Sequence, residues 1–377
     1  MNDTDVLVVG AGPTGLTLAA SLIARRIRAI VVDKQPAGAN TSRAAAVAAH
    51  TLDILDDLDV ARRMVNAGLI APRFTMRNGR RVLVPIDFSA LPTAHPYTLM
   101  LSQADTERLL LERLHELGGS VLRPKTLTAL ARHADGVTAT FDDGSTVTAS
   151  YVVGADGMHS TVRDLAGIGF SGGEYAESFT LADVRVTGEA PRDEVVLFCA
   201  NEGFTVLAPL PGDIFRVVAP VADAPQVPSP GFVEALLDSR AFGPGRTRVS
   251  EMVWGTRFRI HHRVADSYRA GRLLLAGDAA HVHSPAGGQG MNLGIADAAA
   301  LAGALSEVLN GGADAALDAY CAAQRRRAQR VLRLTGRLTR VATVPRPLRP
   351  VRNSGLRLAG EVPAVRHQLA LRLSGLG

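Results

Sequence analysis

The chain has 377 residues, of which 47% are hydrophobic and 20% charged, as is typical of a globular protein with two packed domains. No apolar run reaches the roughly 18 residues that a membrane-spanning helix needs, and no signal-peptide pattern precedes the first strand, which predicts a cytoplasmic protein. The two cysteines, Cys199 and Cys321, form no CxxC pair, which argues against thiol chemistry.

Charge is distributed unevenly along the chain, whose formal net charge is +5. From Arg325 onward there are 13 arginines, no lysine and one acid, Glu361, which leaves 28 basic and 35 acidic residues in the rest. Because the body of the chain is mildly acidic, the high isoelectric point does not indicate nucleic-acid binding.

The first strand, predicted over residues 6–9, runs into Gly10-Ala11-Gly12-Pro13-Thr14-Gly15 and then an apolar helix. This is GxGxxG: the first glycine permits a tight turn, the second lets a pyrophosphate approach the backbone, and the third lets helix and strand pack closely. A second strand, over residues 29–32, ends at Asp33, an acid placed to accept hydrogen bonds from a ribose. The motif predicts a dinucleotide site and leaves FAD and NAD open.

Two polar residues further along are candidates to meet the cofactor. Arg43 lies just ahead of a helix predicted over residues 47–57, where a guanidinium can meet a phosphate. Gln103 begins a helix predicted over residues 102–117, with Ser102 or Asp105 as its cap. An ordinary surface arginine and a plain helix-start glutamine are the alternatives.

Short strands and hairpins fill residues 72–98 and 120–149, and a strand over residues 151–155 then ends at Asp156-Gly157. It is the second predicted strand to end on a carboxylate. Ser160 is placed to cap the short helix that follows.

The middle of the chain, residues 179–269, is predicted to be β-rich and contains none of the cofactor motifs. It is therefore the expected second domain, and the face that it turns toward the cofactor is the expected substrate site. The candidates for a catalytic base or positioning residue, each of which also suits a structural role, are Tyr97, Tyr175, Arg257, His261 and His262.

A glycine-rich loop then follows a short apolar strand over residues 273–276. The strand ends at Gly277-Asp278, and the loop Pro285-Ala286-Gly287-Gly288-Gln289-Gly290 leads into a helix beginning at Met291-Asn292. Glycines remove side chains where a large flat group approaches the backbone, a helix amino terminus favours negative charge, and a carboxylate accepts from sugar-alcohol hydroxyls. The pattern predicts a flavin site, with an ordinary strand–loop–helix corner as the alternative.

The tail pairs an apolar stripe with a basic one. Val331, Leu334, Leu338 and Val341 recur at helical spacing, and Arg330, Arg333, Arg337 and Arg340 repeat it one residue earlier. We expect the apolar stripe to pack on the cofactor domain, with an anionic membrane surface or a partner protein as the alternative. Prolines at 345, 347, 350 and 363 predict that regular structure breaks beyond it.

Other chemistries fit less well. His281 and His283 lack companions at zinc-ligand spacing, so no metal site is predicted. There is no GxSxG for a nucleophilic hydrolase, and a single tryptophan excludes the usual tryptophan-type flavin halogenase motif.

Together the motifs resemble the single-component, class A FAD-dependent aromatic monooxygenases of the p-hydroxybenzoate hydroxylase fold, and among them the aromatic polyketide hydroxylases. Gly10-x-Gly12-x-x-Gly15 matches the family's ADP-binding turn, Asp156-Gly157 its DG motif, and Gly277-Asp278 its GD motif. The resemblance implies an α/β fold with a discontinuous Rossmann-like FAD domain (residues 1–71, 97–178 and 270–342). It also implies a β-sheet substrate domain (72–96 and 179–269), a helical C-terminus, and a basic tail (343–377) with no thioredoxin-like third domain.

The resemblance also implies the activity. Non-covalent FAD, reduced by NAD(P)H, would react with O2 to a flavin hydroperoxide that hydroxylates an aromatic or polycyclic substrate. Baeyer–Villiger or epoxidising oxygenation, a C=C reductase and an FAD-bound accessory protein are the alternatives. The oligomeric state stays open. The expected FAD contacts are Gly10, Gly12, Pro13, Thr14, Gly15, Asp33, Lys34, Arg43, Gln103, Asp156, Gly277, Asp278, Pro285, Gly287, Gly288, Gly290, Met291 and Asn292.

Overall fold

A computed structural model describes residues 3–38, 44–284 and 288–377, apart from the side chains of residues 175–177, 260, 337–339 and 342. In this part of the chain the strands are β1 (Thr4–Val9), β2 (Ala29–Val32), β3 (Ala46–Val47), β4 (Leu69–Ala71), β5 (Arg73–Asn78), β6 (Arg81–Asp87), β7 (Thr98–Met100), β8 (Val121–Leu122), β9 (Leu127–Arg132), β10 (Val137–Phe141), β11 (Thr146–Gly154), β12 (Phe170–Gly188), β13 (Glu194–Cys199), β14 (Phe204–Leu210), β15 (Ile214–Pro220), β16 (Thr247–Ala265), β17 (Arg269–Ala270), β18 (Leu273–Leu275) and β19 (His281–Val282).

The helices of the described residues are α1 (Pro13–Ala24), α2 (Ala49–Asp56), α3 (Ala61–Ala67), α4 (Gln103–Glu116), α5 (Thr161–Leu165), α6 (Pro230–Arg240), α7 (Gly290–Leu309), α8 (Ala315–Ala342), α9 (Arg349–Glu361) and α10 (Pro363–Leu373), with 3-10 turns at Gly277–Ala279 and Arg346–Leu348. Ser102 caps α4 by accepting from the Asp105 amide, and Ser160 caps α5 in the same way, both as predicted.

The first sheet is parallel at its centre, in the order β18-β11-β1-β2-β8. Val6, Leu7 and Val8 are fully buried, so both faces of the central strand are covered, and such strands are continuous apolar runs. The carboxyl ends of β1, β2, β11 and β18 therefore meet at one edge. This is the predicted α/β fold with a Rossmann-like domain.

The second sheet is the larger β layer, in the order β19-β16-β12-β15-β14-β13-β5-β6. One face packs on α6 through a cluster that includes Val184, Phe198 and Phe215. The sequence indicated shorter runs at residues 180–186 and 252–260, but β12 and β16 each span 19 residues. Both reach back toward the first sheet, because the two long strands are the connection between the layers.

A three-stranded sheet, β3-β7-β4, completes the contact between the layers. Ala45, Ala71 and Met100 pack there against Ala208 and Leu210 of the second sheet. The helix predicted from residue 47 begins later, at Ala49, because Ala46 and Val47 pair with β7.

The prolines divide the tail as predicted, but regular structure continues between them as α9 and α10. Pro350 and Pro363 lie in the first turns of α9 and α10, where the missing N–H of proline costs no hydrogen bond. Both helices pack on β6, and a Cβ on Gly360 would lie 2.2 Å from the Leu83 carbonyl oxygen.

One helix, α7, is long and apolar enough to cross a membrane by length and composition alone. It is more than half buried and packs against α1 in the core of the first layer. Its composition is therefore explained by its place in the fold.

Candidate functional site

Thr14 brings the first glycine motif and the Gly277-Asp278 turn together. A Cβ on Gly277 would lie 2.5 Å from the Thr14 hydroxyl oxygen, and one on Gly294 would lie 2.3 Å from it. Only glycine leaves room at these positions, so α1, the turn and α7 pack in direct contact. Two motifs far apart in the sequence thus meet where α1, the Gly277-Asp278 turn and α7 come together, a place that we call the groove.

The glycines of the first motif differ in what surrounds them. Gly10 has φ +106°, and a Cβ there would lie 2.2 Å from the Ala155 oxygen, while one on Gly15 would lie 1.9 Å from the Gly10 oxygen. In contrast, no atom of the described residues would lie within 4 Å of a Cβ on Gly12 or Gly290. Gly12 immediately precedes α1 and Gly290 begins α7, so open space lies at two helix amino termini, as an anionic cofactor requires.

Asp33 is held rigidly at the end of β2. Its Oδ2 accepts from the Ala11 amide at 2.7 Å, and its Oδ1 accepts from the Gln35 amide at 2.7 Å. Each carboxylate oxygen has further lone pairs for a ribose hydroxyl. Lys34, beside it, is exposed.

Asp156 follows β11 and has one unsatisfied oxygen. Its Oδ2 accepts from the Val162 amide at 3.2 Å, whereas its buried Oδ1 has no hydrogen-bond partner among the described residues. Burial raises the pKa of this carboxyl, against the opposing effect of hydrogen bonds from Ser160 and Val162. A buried acceptor without a donor at the cofactor edge fits a ligand that supplies one.

Asp278 is the exposed residue of an otherwise buried turn. Gly277 and Ala279 on either side of it are buried, and Gly277 has the left-handed φ of +62°. The turn follows β18, so the carboxylate stands at the carboxyl edge of the parallel strands, where ligands of open α/β sheets bind.

The Asn292 side chain makes three hydrogen bonds within the protein. Its Oδ1 accepts from the Ala48 amide at 2.8 Å, and its Nδ2 donates to Ala46 and Gly288 oxygens at 2.9 and 2.7 Å. The buried amide thus joins the start of α2 to the start of α7, and these bonds place it in the frame of the groove. Its neighbour Met291 is half-buried.

Gln103 also takes part in bonds within the protein. Its Oε1 accepts from the Ala44 amide at 3.4 Å, and its Nε2 donates to Glu107 at 2.8 Å. It therefore lies beside the segment that precedes β3. Gly288, across the groove, has φ +64°, and a Cβ there would lie 3.1 Å from the Ala46 methyl group.

Four predicted residues fall where the structure gives no description. Arg43, Pro285 and Gly287 lie outside the described residues, and so does the side chain of Tyr175, whose backbone belongs to β12. Their expected roles stay predictions.

A buried ion pair lies on the face of the second sheet that meets the cofactor layer. Arg216 Nε and Nη2 donate to Asp183 Oδ1 and Oδ2, both at 2.7 Å, and the side chains are 4% and 13% exposed. Arg216 pairs in register with Ala208, which packs against Ala45. This pair was not predicted from the sequence. It could have been suspected, because each of two apolar strands carries one charged residue at an inward-facing position.

Aromatic side chains continue the same face. Phe179 lies with its ring centroid 6.0 Å from that of Phe204 and 5.7 Å from that of Phe258, and Val218 packs against them. The wall beside the ion pair is therefore apolar and aromatic, which suits a flat apolar ligand.

The structure separates the candidate bases. Arg257 is exposed and donates to the Ala224 oxygen at 3.2 Å. Because neighbouring residues of a strand point to opposite faces, Arg257 points away from the aromatic wall that Phe258 belongs to. This placement does not support a catalytic role for Arg257. His261 lies 3.8 Å from Glu174 on the stretch of β16 that leads to β19 and the glycine loop. His262, next to it, is half-buried.

Tyr97 belongs to a separate cluster at the far end of α2. Its hydroxyl lies 3.1 Å from His95 Nδ1, and His95 Nε2 lies 2.7 Å from Asp56. Asp53, Asp56 and His95 bring ligand atoms within 4.8 Å of one another, a geometry that could hold a cation and that the sequence did not suggest.

His283 lies on the loop between the Gly277-Asp278 turn and Gly288. Burial lowers its pKa to about 4, and its Nδ1–H donates to the Ser284 oxygen at 2.8 Å. The imidazole is therefore neutral at ordinary pH. His281, two residues earlier, lies with its Nε2 2.6 Å from Asp297.

The chain matches a family model described as "FAD binding domain" over residues 3–335. It is 38% identical over 354 residues to 6-methylpretetramide 4-monooxygenase of Streptomyces rimosus, an alignment that covers 92% of this chain and 63% of the relative. The chain thus spans less than two thirds of this relative's length.

The chain is also similar to solved structures of hydroxylases and monooxygenases. The anhydrotetracycline hydroxylase of Streptomyces rimosus superposes with a TM-score of 0.81 at 35% identity, covering 99% of this chain and 76% of the other. The p-nitrophenol 4-monooxygenase of Pseudomonas putida superposes with a TM-score of 0.85 at 25% identity, covering 99% of this chain and 98% of the other.

Proposed function

The chain belongs to the FAD-binding family of class A aromatic monooxygenases, and from that premise we propose that it hydroxylates a large, fairly flat aromatic or polycyclic substrate with NAD(P)H and O2. The observation that carries the proposal is the contact of Thr14 with Gly277 and Gly294, which brings the GxGxxG turn, the Gly277-Asp278 turn and the start of α7 together. FAD bound there would supply the redox chemistry, as hydride acceptor for NAD(P)H and as the group that activates O2 for transfer of one oxygen atom.

The chain's own residues hold the cofactor in this proposal. The amino terminus of α1 meets the pyrophosphate, Asp33 accepts from the ribose, and Asp278 accepts from the ribityl chain. The open space at Gly12 and the unsatisfied oxygen of Asp156 support this assignment.

The second sheet shapes the substrate side. Phe179, Phe204 and Phe258 exclude water, which protects the reactive oxygen and favours polycyclic substrates. Arg216, oriented by Asp183, supplies N–H donors near this wall and suits an oxygen of a phenol or enol. The relatives named for tetracycline-type and nitrophenol substrates support this substrate class for the present chain.

A base that deprotonates a phenol would raise its nucleophilicity. His261 is the candidate that the geometry favours among those predicted, because it lies beside Glu174 on the stretch leading to the glycine loop. The choice between NADH and NADPH is left to experiment.

The decisive experiment supplies labelled dioxygen with NAD(P)H and a panel of polycyclic phenols. We expect one labelled atom in the product as a new hydroxyl group, with the second leaving as water. Label in an ester or lactone would indicate Baeyer–Villiger oxygenation, and unlabelled product would indicate a reductase or oxidase. NAD(P)H oxidation that no aromatic compound stimulates would favour an accessory protein.

A further inference from the structure

One carboxylate oxygen joins both ends of the Gly277-Asp278 turn to α7. Asp297, two turns into α7, accepts through Oδ2 from the Gly277 amide at 3.1 Å and lies 2.6 Å from His281 Nε2. Gly277 and His281 are the ends of a five-residue segment, and Asp278 is its second residue. The segment that presents Asp278 is therefore fastened at both ends to a single atom.

Stability alone does not explain this arrangement. The His281 and Asp297 side chains are 1% and 0% exposed, and taking two charges out of water offsets much of their attraction. Asp297 Oδ1 has no hydrogen-bond partner among the described residues, which adds to the cost of burial. A costly polar pair at this place calls for a role in the site.

The geometry identifies what the pair does. Ala276 donates to the Gly154 oxygen in the last bond of the β18 ladder, so the next amide, that of Gly277, needs a new acceptor. Asp297 provides it. Tyr320 Oη donates to the Leu275 oxygen at 2.9 Å, which fixes the strand immediately before the turn.

His281 completes the clamp. Burial alone would lower the pKa of its imidazole, but the Asp297 carboxylate raises it, so that Nε2 stays a donor. The Tyr268 ring stacks on the imidazole with centroids 6.1 Å apart, and His281 is the first residue of β19, which pairs with β16. The far end of the turn is therefore anchored to both layers.

We propose that Asp297 is a positioning residue for FAD: it holds the turn so that the exposed Asp278 carboxylate meets the ribityl chain. Asp297 does not touch the cofactor in this proposal and acts through Asp278. The inference rests on FAD occupying the groove, which family membership implies, and is independent of which oxygenation the enzyme performs.

A double-mutant cycle tests it. The variants are Asp297→Asn, Asp278→Asn and both together, and the FAD dissociation constant is measured on purified holoprotein by dilution and flavin fluorescence. We expect Asp297→Asn to raise that constant about tenfold, because the amide loses the charge and accepts poorly from two donors. In the Asp278→Asn background the same change should add less than about threefold.

Additive effects, or an unchanged constant in Asp297→Asn, would overturn the proposal. An unchanged constant in Asp278→Asn would instead overturn the assignment of the turn. His281→Gln, which keeps a donor toward Asp297, should stay within about threefold of wild type. Asp318→Asn, an exposed change on the same layer, is the matched control. If Asp297→Asn is insoluble, the cycle with His281→Leu decides by the same criterion.

Discussion

At the scale of single residues, Gly10 and Gly12 separate folding from cofactor binding. Gly10→Ala forces a left-handed residue and a 2.2 Å approach to the Ala155 oxygen, so we expect a loss of about 2–4 kcal/mol in unfolding free energy even without FAD. Gly12→Ala has space within the protein and should leave the unfolding of the FAD-free protein unchanged while weakening FAD binding at least tenfold. Thermal unfolding and FAD titration measure the two effects.

If Gly12→Ala destabilised the FAD-free protein and left FAD binding unchanged, the assignment of FAD to this groove would be wrong. Gly144→Ala is the control for Gly10→Ala, because Gly144 also has a left-handed φ, of +78°, but its Cβ would meet nothing within 4 Å. It isolates the backbone cost from the steric one.

The raised pKa of Asp156 predicts that its contribution to stability improves as pH falls, opposite to that of a carboxyl group whose pKa is lowered by folding. Because burial raises its pKa from 3.8 in the folded state, the ionised carboxylate costs stability at neutral pH, and that cost disappears as pH falls through the folded pKa. Asp156→Asn should therefore raise the thermal midpoint of FAD-free protein at pH 7, and the gain should vanish near pH 4. Midpoints measured across this range decide it.

Asp142 provides the control for that series. A hydrogen bond from the Thr126 amide lowers its pKa, so its ionised form stabilises the fold above the unfolded value. Asp142→Asn should lose stability at neutral pH and recover it in acid. If both variants behaved alike, the burial argument for Asp156 would fail.

The buried Arg216–Asp183 ion pair is expected to contribute to both stability and substrate binding. Asp183→Ala leaves a buried guanidinium without its carboxylate and should cost about 3–5 kcal/mol in unfolding free energy.

Arg216→Lys keeps the charge but loses the bidentate geometry, so we expect KM for a phenolic substrate to rise about tenfold with a smaller change in kcat. Steady-state kinetics with Arg257→Lys as the exposed control measure it; equal effects at both positions would contradict a substrate role for Arg216.

At the scale of elements, the C-terminal helices reach the cofactor layer directly. Gln289 Nε2 in the glycine loop donates to the Leu373 oxygen at 3.0 Å, and the His50 amide at the start of α2 donates to the Ser374 oxygen at 3.1 Å. Arg352, 9% exposed, donates to the Cys199 oxygen at 2.8 Å and anchors α9 to β13. The end of the chain thus braces both elements that flank the groove.

Removing residues 374–377 should therefore weaken FAD binding several-fold while leaving the protein folded, because the Ser374 acceptor is lost and Leu373 becomes a free end. Removing residues 325–377 should leave the protein insoluble or without FAD, since Ala328 and Val331 belong to the core cluster. Flavin absorbance per protein measures both. Leu358→Ser, at a side chain 66% exposed, is the neutral control.

At the scale of the whole molecule, the question is whether the basic tail serves the fold or a surface. Arg330, Arg333 and Arg340 are exposed, and Val331 packs in the core, which supports packing of the tail onto the acidic body. Val351, Leu358 and Val362 nevertheless remain exposed on α9 and just beyond it. A truncation at 325 that stayed yellow and active but lost salt-sensitive sedimentation with anionic vesicles would show that packing was the wrong choice.

The sequence alone determined the family and the fold class, and it predicted the edge of the sheet where we propose that FAD binds. It could do so because Gly10 and Gly277 have left-handed φ angles and Gly15 lies against the Gly10 oxygen, and turns with these requirements carry the same glycine spacing wherever they recur. Caps such as Ser102 were predictable for the same reason: their partners lie three residues away.

Only the tertiary structure decided the rest. Asp297 and His281 are 16 residues apart, Asp183 and Arg216 are 33 apart, and Gln289 and Leu373 are 84 apart, so no local pattern reports their bonds. The prolines of the tail did not reveal α9 and α10, because proline disfavours the interior of a helix but suits its first turn. Which of the two applies depends on where packing starts the helix, and that is set by the surface of β6, far away in the chain.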